Sequence, residues 1–401
     1  MALKSRPIAP NPSLSSFQTT SKMLDPTAIY KTEPTVRKDV KFECLSCKLQ
    51  TSPSLNFQCV QCGGAQKIVY PAYSRPLQGK GMNRYAPLLP LDRHHWSETS
   101  SSLQKLSSDL DVWAKNDGTL PIGNTKFRQA AVAVPAFMAL GVHHLVVAST
   151  GNSSNSYCHA ARTTYPKLSV DVFVPESHKS RIQYLGDRVT LRIQQADFVE
   201  TGERAKRYAA ANGHHSDGGF FNPFRREGLK TAYLEAIEQF LEQNQCSPDF
   251  FVQAISSGMG IIAAYSAFQE ALKLRWIDHI PAMIAVQQTS CAPVVNAYER
   301  GHSTIEDLDI ERNPKGLAAA ILRGNPVASY PYLVQVIEST KGAFVAVDEN
   351  ELRASKSTLA AEGIQACFAA AATLAGVRKL RESCHPAAEG KGVIMITGSK
   401  D

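Results

Sequence analysis

A lysine delivered by a turn to the start of a helix is a candidate nucleophile, and Lys126 stands in that position. The run Lys115-Asn-Asp-Gly-Thr-Leu-Pro-Ile-Gly-Asn-Thr-Lys126-Phe-Arg128 has turn formers at Gly118, Pro121 and Gly123 and leads into an apolar, Ala-rich stretch over residues 127–140. The first N–H groups of a helix lack intrahelical partners and make its start electropositive. An ammonium is disfavoured there, so the pKa of Lys126 is expected to fall; a neutral amine can then form a Schiff base with a carbonyl. Taken alone, a lysine near a helix start is more often a solvated surface charge.

Four cysteines form a second constellation. Cys44-x2-Cys47 and Cys59-x2-Cys62-Gly-Gly are separated by eleven residues, a spacing that lets four thiolates surround a tetrahedral zinc ion. Nothing in this block leaves a coordination position open, so the expected role is structural. Residues 42–69 interleave few basic and aromatic side chains, which argues against a nucleic-acid surface. The other five cysteines are scattered. An odd total and the lack of a secretory apolar stretch point to a reducing, cytoplasmic setting.

Three loops have the composition of ligand-binding turns. Ala148-Ser149-Thr150-Gly151-Asn152-Ser-Ser154 follows an apolar run and opens a helical one, suiting an anion, a ring oxygen or only a good N-cap. Ser256-Ser257-Gly258-Met259-Gly260 lies between a buried strand and a helix, where glycines let backbone N–H groups approach a phosphate. It is neither a Walker loop nor a full dinucleotide fingerprint. Asn222-Pro-Phe-Arg225-Arg226-Glu-Gly-Leu-Lys-Thr231 offers two guanidinium groups at a helix start, for anions or for solvent. Thr397 ends the last apolar run with a hydroxyl.

Positioning these groups requires a parallel sheet. Short apolar runs at 145–148, 169–174, 189–193, 250–255, 282–286 and 393–396 read as strands. Helices are predicted over 154–163, 177–185, 201–212, 226–242, 260–274 and 363–380. Such alternation gives βαβ units and an α/β fold, with ligands at the carboxyl ends of the strands. No internal repeat is evident.

The 401 residues suffice for two domains, and 43% hydrophobic with 20% charged residues is ordinary for a soluble protein. No apolar run reaches the length of a membrane span, and a net charge of +7 is too diffuse for a nucleic-acid footprint. Residues 1–40 are rich in Ser, Thr and Pro, without an acid before Asp25; they read as an arm or tail, with a transit peptide poorly supported for want of arginines.

The run from Lys115 to Arg128 resembles the threonine synthase motif K-D-E-x-x-N-P-T-G-S-F-K-D-R, with Lys115, Asp117 (for Glu), Pro121, Gly123, Lys126 and Arg128 in register. Ala148 to Asn152 is similar to that family's A-S-T-G-N loop, Asn222 to Thr231 to its N-P-x-R-x-E-G-x-K-T, and Thr397-Gly-Ser-Lys-Asp401 to its shortened ending. The cysteine knuckles resemble the N-terminal ribbon of some threonine synthases and of cysteate synthase, and the stretch 251–264 around Ser256–Gly260 is similar to cysteate synthase. This resemblance implies a fold-type II pyridoxal 5′-phosphate enzyme (tryptophan synthase β-like), with two three-layer α/β domains and an N-terminal zinc ribbon. Its implied domains are an arm (1–40), a ribbon (41–70), a large cofactor domain (71–127 and 221–401) and a small mobile domain (128–220).

It also implies that Lys126 carries the cofactor, that Asn152 meets the ring hydroxyl, and that Ser256, Ser257, Gly258, Met259 and Gly260 hold the phosphate. Thr397 faces the ring nitrogen. Ser149, Thr150 and Gly151 receive the substrate carboxylate, Thr125 lines the pocket, and Arg128, Lys179, Arg181 and Arg225 are candidates for a leaving phosphate. The implied activity is phosphate elimination from phosphoserine or phosphohomoserine followed by addition of a nucleophile, in a homodimer. Alternatives are a serine/threonine dehydratase-like deaminase and a catalytically silent binding protein. Thr125 and Phe127 stand where the family has Phe and Asp, so the substrate wall beside Lys126 is expected to differ.

Overall fold

The computed structural model describes residues 34–401 apart from 72–76, 93, 95, 108–110, 150 and 197. Residues 1–33, most of the arm, and Thr150 therefore lie outside the described residues. The strands and helices, in chain order, are β1 (Thr35–Val36), β2 (Lys41–Cys44), β3 (Gln50–Thr51), β4 (Gln66–Val69), β5 (Leu91–Asp92), β6 (Leu103–Lys105) and β7 (Val112–Asn116). Then follow α1 (Lys126–Ala139), β8 (His144–Ala148), α2 (Asn152–Thr163), β9 (Ser169–Pro175), β10 (Val189–Gln194), α3 (Phe198–Ala211) and β11 (His215–Ser216). The rest comprises α4 (Pro223–Asn244), β12 (Phe250–Ala254), α5 (Met259–Lys273), β13 (Ala282–Gln288), α6 (Pro293–Glu299), α7 (Tyr330–Ser339), β14 (Ala343–Val347), α8 (Glu349–Ala361), α9 (Phe368–Glu382) and β15 (Gly392–Ile396).

The larger sheet runs β14-β13-β12-β15-β7-β6 and is parallel except for the edge strand β6. Strands covered on both faces need side chains that are apolar in both directions, and β12, β15 and β7 are buried along their whole length. Successive residues alternate between faces. Phe251, Met283, Val393 and Met395 share a core with α4, α5 and α7, whereas Val252, Ile284, Ile394 and Ile396 pack with the Ala-rich α9 and with α8. The smaller sheet, β10-β9-β8-β11, is wholly parallel and has α3 on one face through Val146, Phe173, Ala205 and Ala209. A third sheet, β3-β2-β4, is antiparallel and carries the cysteine knuckles.

Two expected helices differ. Residues 177–185 form only a short 3-10 turn, Glu176–Arg181, and Tyr184 takes a left-handed φ of 60°. A short helix needs an apolar face to bury, and no residue of that turn is buried. The helix expected over 363–380 starts at Phe368 because Gly363 turns the chain at φ 76° and Cys367 N donates to Gly398 O at 2.9 Å. Helix α4 begins three residues before the expected start, with Asn222 Oδ1 accepting from Phe224 N at 2.9 Å and Pro223 in the first turn.

Candidate active site

Register alone gathers three of the sequence-predicted groups. Ile394 pairs with Val252 on one side and Ile396 with Asn116 on the other, so β12, β15 and β7 end together. The loop 256–260, Thr397 and the turn leading to Lys126 are thus neighbours at the carboxyl edge of adjacent strands about 4.8 Å apart.

Backbone bonds tighten that edge. Thr125 N donates to Thr397 O at 2.9 Å and Ser399 N to Gly123 O at 3.0 Å. Asn124, which sequence reasoning did not single out, is the hub: Oδ1 accepts from Lys126 N at 3.0 Å, and Nδ2 reaches Ile122 O at 3.0 Å and Asn152 Oδ1 at 3.5 Å. Lys126 and Asn152 are therefore held around one amide, with Thr397 tied to the neighbouring Thr125. A short polar residue two before Lys126 is the signal that was present.

Lys126 opens α1, partly buried, and no hydrogen bond or ion pair holds its amine among the described residues. Its pKa is pulled down to about 8, first by burial and then by the charge of Arg225. The direction is the expected one, but enclosure and a neighbouring cation cause it rather than the helix start alone. At pH 7 roughly a tenth of such a lysine is free amine, against a few parts in ten thousand at an ordinary pKa.

Two helix N-termini face this edge without side-chain caps. Helix α5 is preceded by Gly258 and α2 by Gly151; their free N–H groups can receive anions. Gly258 has φ 72°, and a Cβ there would meet Leu333 at 2.4 Å, so only glycine lets this turn form. Ser256 and Ser257 are partly exposed and Met259 is buried beside them. Beside Gly151, the Arg181 side chain lies within 3.6 Å of where a Cβ would stand. Ser149 Oγ accepts from Gly151 N at 3.4 Å.

Arg225 enters from α4. Nη1 pairs with Asp217 at 3.0 Å, Nη2 donates to Ser153 Oγ at 3.2 Å, and the buried Nε has no partner. Asp217 and Ser153 were not anticipated. The approach depends on Gly228, where a Cβ would sit 2.2 Å from Arg128 O, so α1 and α4 cross in backbone contact. Thr125 Oγ1 is also buried without a partner. A lysine amine, an arginine N–H and a threonine hydroxyl left unsatisfied at one edge are what a bound polar group would complete.

Other candidates are placed elsewhere. Arg128 is 1% exposed and bonded to Asp117 and Glu235, with Nη2 at 2.6 Å from the latter and Nη1 at 3.4 Å from Thr231 Oγ1, so it is engaged in the interior by two carboxylates rather than turned to the Lys126 edge. Lys179 is exposed and pairs with Glu176. Arg226 donates to Phe220 O and Gln66 O, tying α4 to the cysteine-bearing sheet.

In that sheet Cys44 Sγ lies 3.4 Å from Cys62, while Cys47 is 3.6 Å from both Cys59 and Cys62. All four sulfurs fall within 4.8 Å of one another. A tetrahedron with Zn–S bonds of about 2.3 Å has edges of about 3.8 Å, so the cage fits zinc. Phe57 stacks edge-on against Phe137 at 5.8 Å and Phe224 at 6.2 Å, and Phe42 against Phe224 at 5.5 Å. The knuckles thus brace α1 and the first turn of α4, next to Arg225.

Residues 87–398 match the family model described as pyridoxal-phosphate dependent enzyme. The threonine synthase of Methanosarcina acetivorans is 28% identical over 358 residues, covering 84% of this chain and 86% of that protein. The cysteate synthase of Methanothrix thermoacetophila is 28% identical over 260 residues, 63% of this chain and 61% of that one. Among solved structures, a T.th. threonine deaminase superposes with a TM-score of 0.62 at 17% identity, covering 79% of this chain and 95% of that one, a likeness of fold.

Proposed function

The chain belongs to the pyridoxal-phosphate-dependent enzymes, and on that premise we propose that it eliminates phosphate from phosphoserine or phosphohomoserine and adds a nucleophile in its place. Arg225 carries this reading. A buried guanidinium beside a lysine whose pKa is lowered, with Nε unspent, is suited to an anionic substituent, and charge-assisted bonds of this kind are the strong ones. Arg181 and the α2 N-terminus add positive potential on the same side.

The donor set fits the cofactor. Lys126 would hold it covalently, the Ser256–Gly260 backbone its phosphate, Asn152 its ring hydroxyl and Thr397 its ring nitrogen. Bound pyridoxal phosphate supplies an electron sink for negative charge at the substrate Cα. Lys126 Nζ, uncharged above about pH 8, takes and returns the proton at that carbon. Ser149 and Gly151 orient the substrate carboxylate, and Arg225 with Arg181 stabilises the departing phosphate. The smaller sheet with α2 and α3, within residues 128–220, closes over the edge and excludes water.

Inorganic phosphate release from each phosphorylated amino acid tests the proposal. Arg225→Met is expected to lower kcat/KM about a hundredfold while the visible cofactor band persists. Ammonia production at the wild-type rate from unphosphorylated serine or threonine, with no phosphate chemistry, rejects it. A pH dependence also follows. Apoprotein should take up pyridoxal phosphate faster as pH rises, with a midpoint near 8 set by Lys126 and a plateau above it; a rate still climbing through pH 10 means an ordinary exposed lysine.

Zinc is the proposed occupant of the cysteine cage, with one ion per chain. Cys44→Ser should abolish zinc and lower the melting midpoint by roughly 5 °C or more, since a structural site contributes its binding energy to folding. Unchanged zinc content in that variant removes the four-thiolate assignment.

A further inference from the structure

Away from the carboxyl edge, a cavity of about 360 Å³ opens between β4 and α5, walled by Ile68, Leu88 and Leu274 and carrying Tyr70, Glu270 and Lys273. Behind it lies a closed set of polar bonds. Lys230 Nζ donates to Leu88 O at 2.8 Å, Glu227 Oε2 at 2.5 Å and Glu270 Oε1 at 2.9 Å, so its three hydrogens are used. Tyr70 gives its hydroxyl hydrogen to Glu227 at 2.6 Å. Glu270 Oε2 is left buried with no partner, and every nearby donor in this set is already committed.

A buried carboxylate oxygen without a donor is costly, and Glu270 carries one just behind the cavity wall. Burial pushes the Glu270 carboxyl up to about 7 despite Lys230, as expected of an anion short of cationic partners. Lys273 lies three residues on, on the same face of α5, and no hydrogen bond or ion pair engages its ammonium among the described residues; Lys67, also in the wall, is paired with Glu43 at 3.1 Å. A cation acceptor, a free ammonium and an aliphatic wall therefore line one space.

We propose that this cavity binds a small α-amino acid with an apolar side chain, its ammonium on the Glu270 carboxylate, its carboxylate on Lys273 and its side chain against Ile68, Leu88 and Leu274. The site is separate from the Lys126 edge, because Glu270 is eleven residues along α5 from Met259, about 16 Å at 1.5 Å per residue. It is nonetheless mechanically joined to that edge. Helix α5 begins at the Gly258 turn, and Glu227 and Lys230 follow Arg225 on α4. An occupant that completes the Glu270–Lys230–Glu227 bonds stiffens the two helices that present the phosphate loop and Arg225, which makes it an effector in the sense of a binding-linked equilibrium.

Calorimetric titration of the full chain with L-leucine, isoamylamine and 4-methylpentanoate tests this. Running it on the wild type and on Lys126→Ala alike makes the result independent of the proposed cofactor chemistry. One L-leucine per chain is expected in both proteins, with the amine and the acid each binding at least about tenfold more weakly. Glu270→Gln should weaken L-leucine about tenfold or more, and the exposed Lys273→Met, which has no fold to disturb, about three- to tenfold. No heat with millimolar L-leucine in Lys126→Ala overturns the proposal, as does an affinity indifferent to both substitutions or equal for L-leucine and isoamylamine.

Discussion

Replacing Lys126 by alanine is expected to give a folded, colourless protein whose phosphate release falls by more than about 10³-fold, because the proposed covalent attachment and the proposed proton-transferring amine are lost together. Among the described residues no other buried lysine can take over. Lys115 spends its three hydrogens on Ser101 O at 2.6 Å, Gln239 Oε1 at 2.9 Å and Glu235 Oε1 at 3.1 Å, and Lys230 is equally committed. Lys126 alone of the three keeps a free amine, with its charge opposed by burial and by Arg225. Folding should survive, since Nζ makes no bond that the rest of the structure needs, and the melting midpoint is predicted to stay within a few degrees. Arginine at this position retains a cation without a nucleophile and should be equally inactive. A visible cofactor band and wild-type turnover in Lys126→Ala would place the chemistry on another residue.

Much of this site was legible because it depends on local grammar. Turn formers ahead of Lys126, glycines at 151 and 258, and a hydroxyl at 397 are each set by backbone geometry within a few residues, and the parallel alternation says that these loops share an edge. The core strands were equally readable, because burial on both faces demands uninterrupted apolar runs. What could not be read was which long-range partner each charged side chain finds. Arg128 looks like a ligand residue beside Lys126, yet its partners Asp117 and Glu235 are eleven and over a hundred positions away. Arg225 and Arg226 are adjacent, and one faces the site while the other turns to Gln66. The segment 287–362, where the sequence reading assigns no element, holds α6, α7, β14 and α8; its short helices draw their stability from tertiary contacts more than from periodicity.

The second large effect is predicted at Glu235. Lys115, Asp117, Arg128 and Glu235 form a buried set of two cations and two anions: Arg128 Nη2 lies 3.1 Å from Asp117 Oδ1 and 2.6 Å from Glu235 Oε2, and Lys115 is 3.1 Å from Glu235 Oε1. Ser101 closes it, donating N–H to Glu235 at 2.8 Å and O–H to Asp117 at 2.7 Å. Burying four charges is tolerable only while they balance and are fully bonded. Glu235→Gln keeps the shape but leaves two buried cations facing one carboxylate, so a loss of about 3–5 kcal/mol is expected from urea unfolding. A pair such as Lys67–Glu43, at 3.1 Å but partly solvated, should contribute less than about 1 kcal/mol by the same measurement. The consequence reaches the site, because Asp117 and Arg128 bracket the turn that delivers Lys126. Glu235→Gln should therefore also load cofactor more slowly at a pH where the fold persists. If it unfolds with wild-type stability, the four charges are not acting as one unit, and the turn before Lys126 must be held by the Asn124 side chain and the Thr125–Thr397 and Gly123–Ser399 backbone bonds.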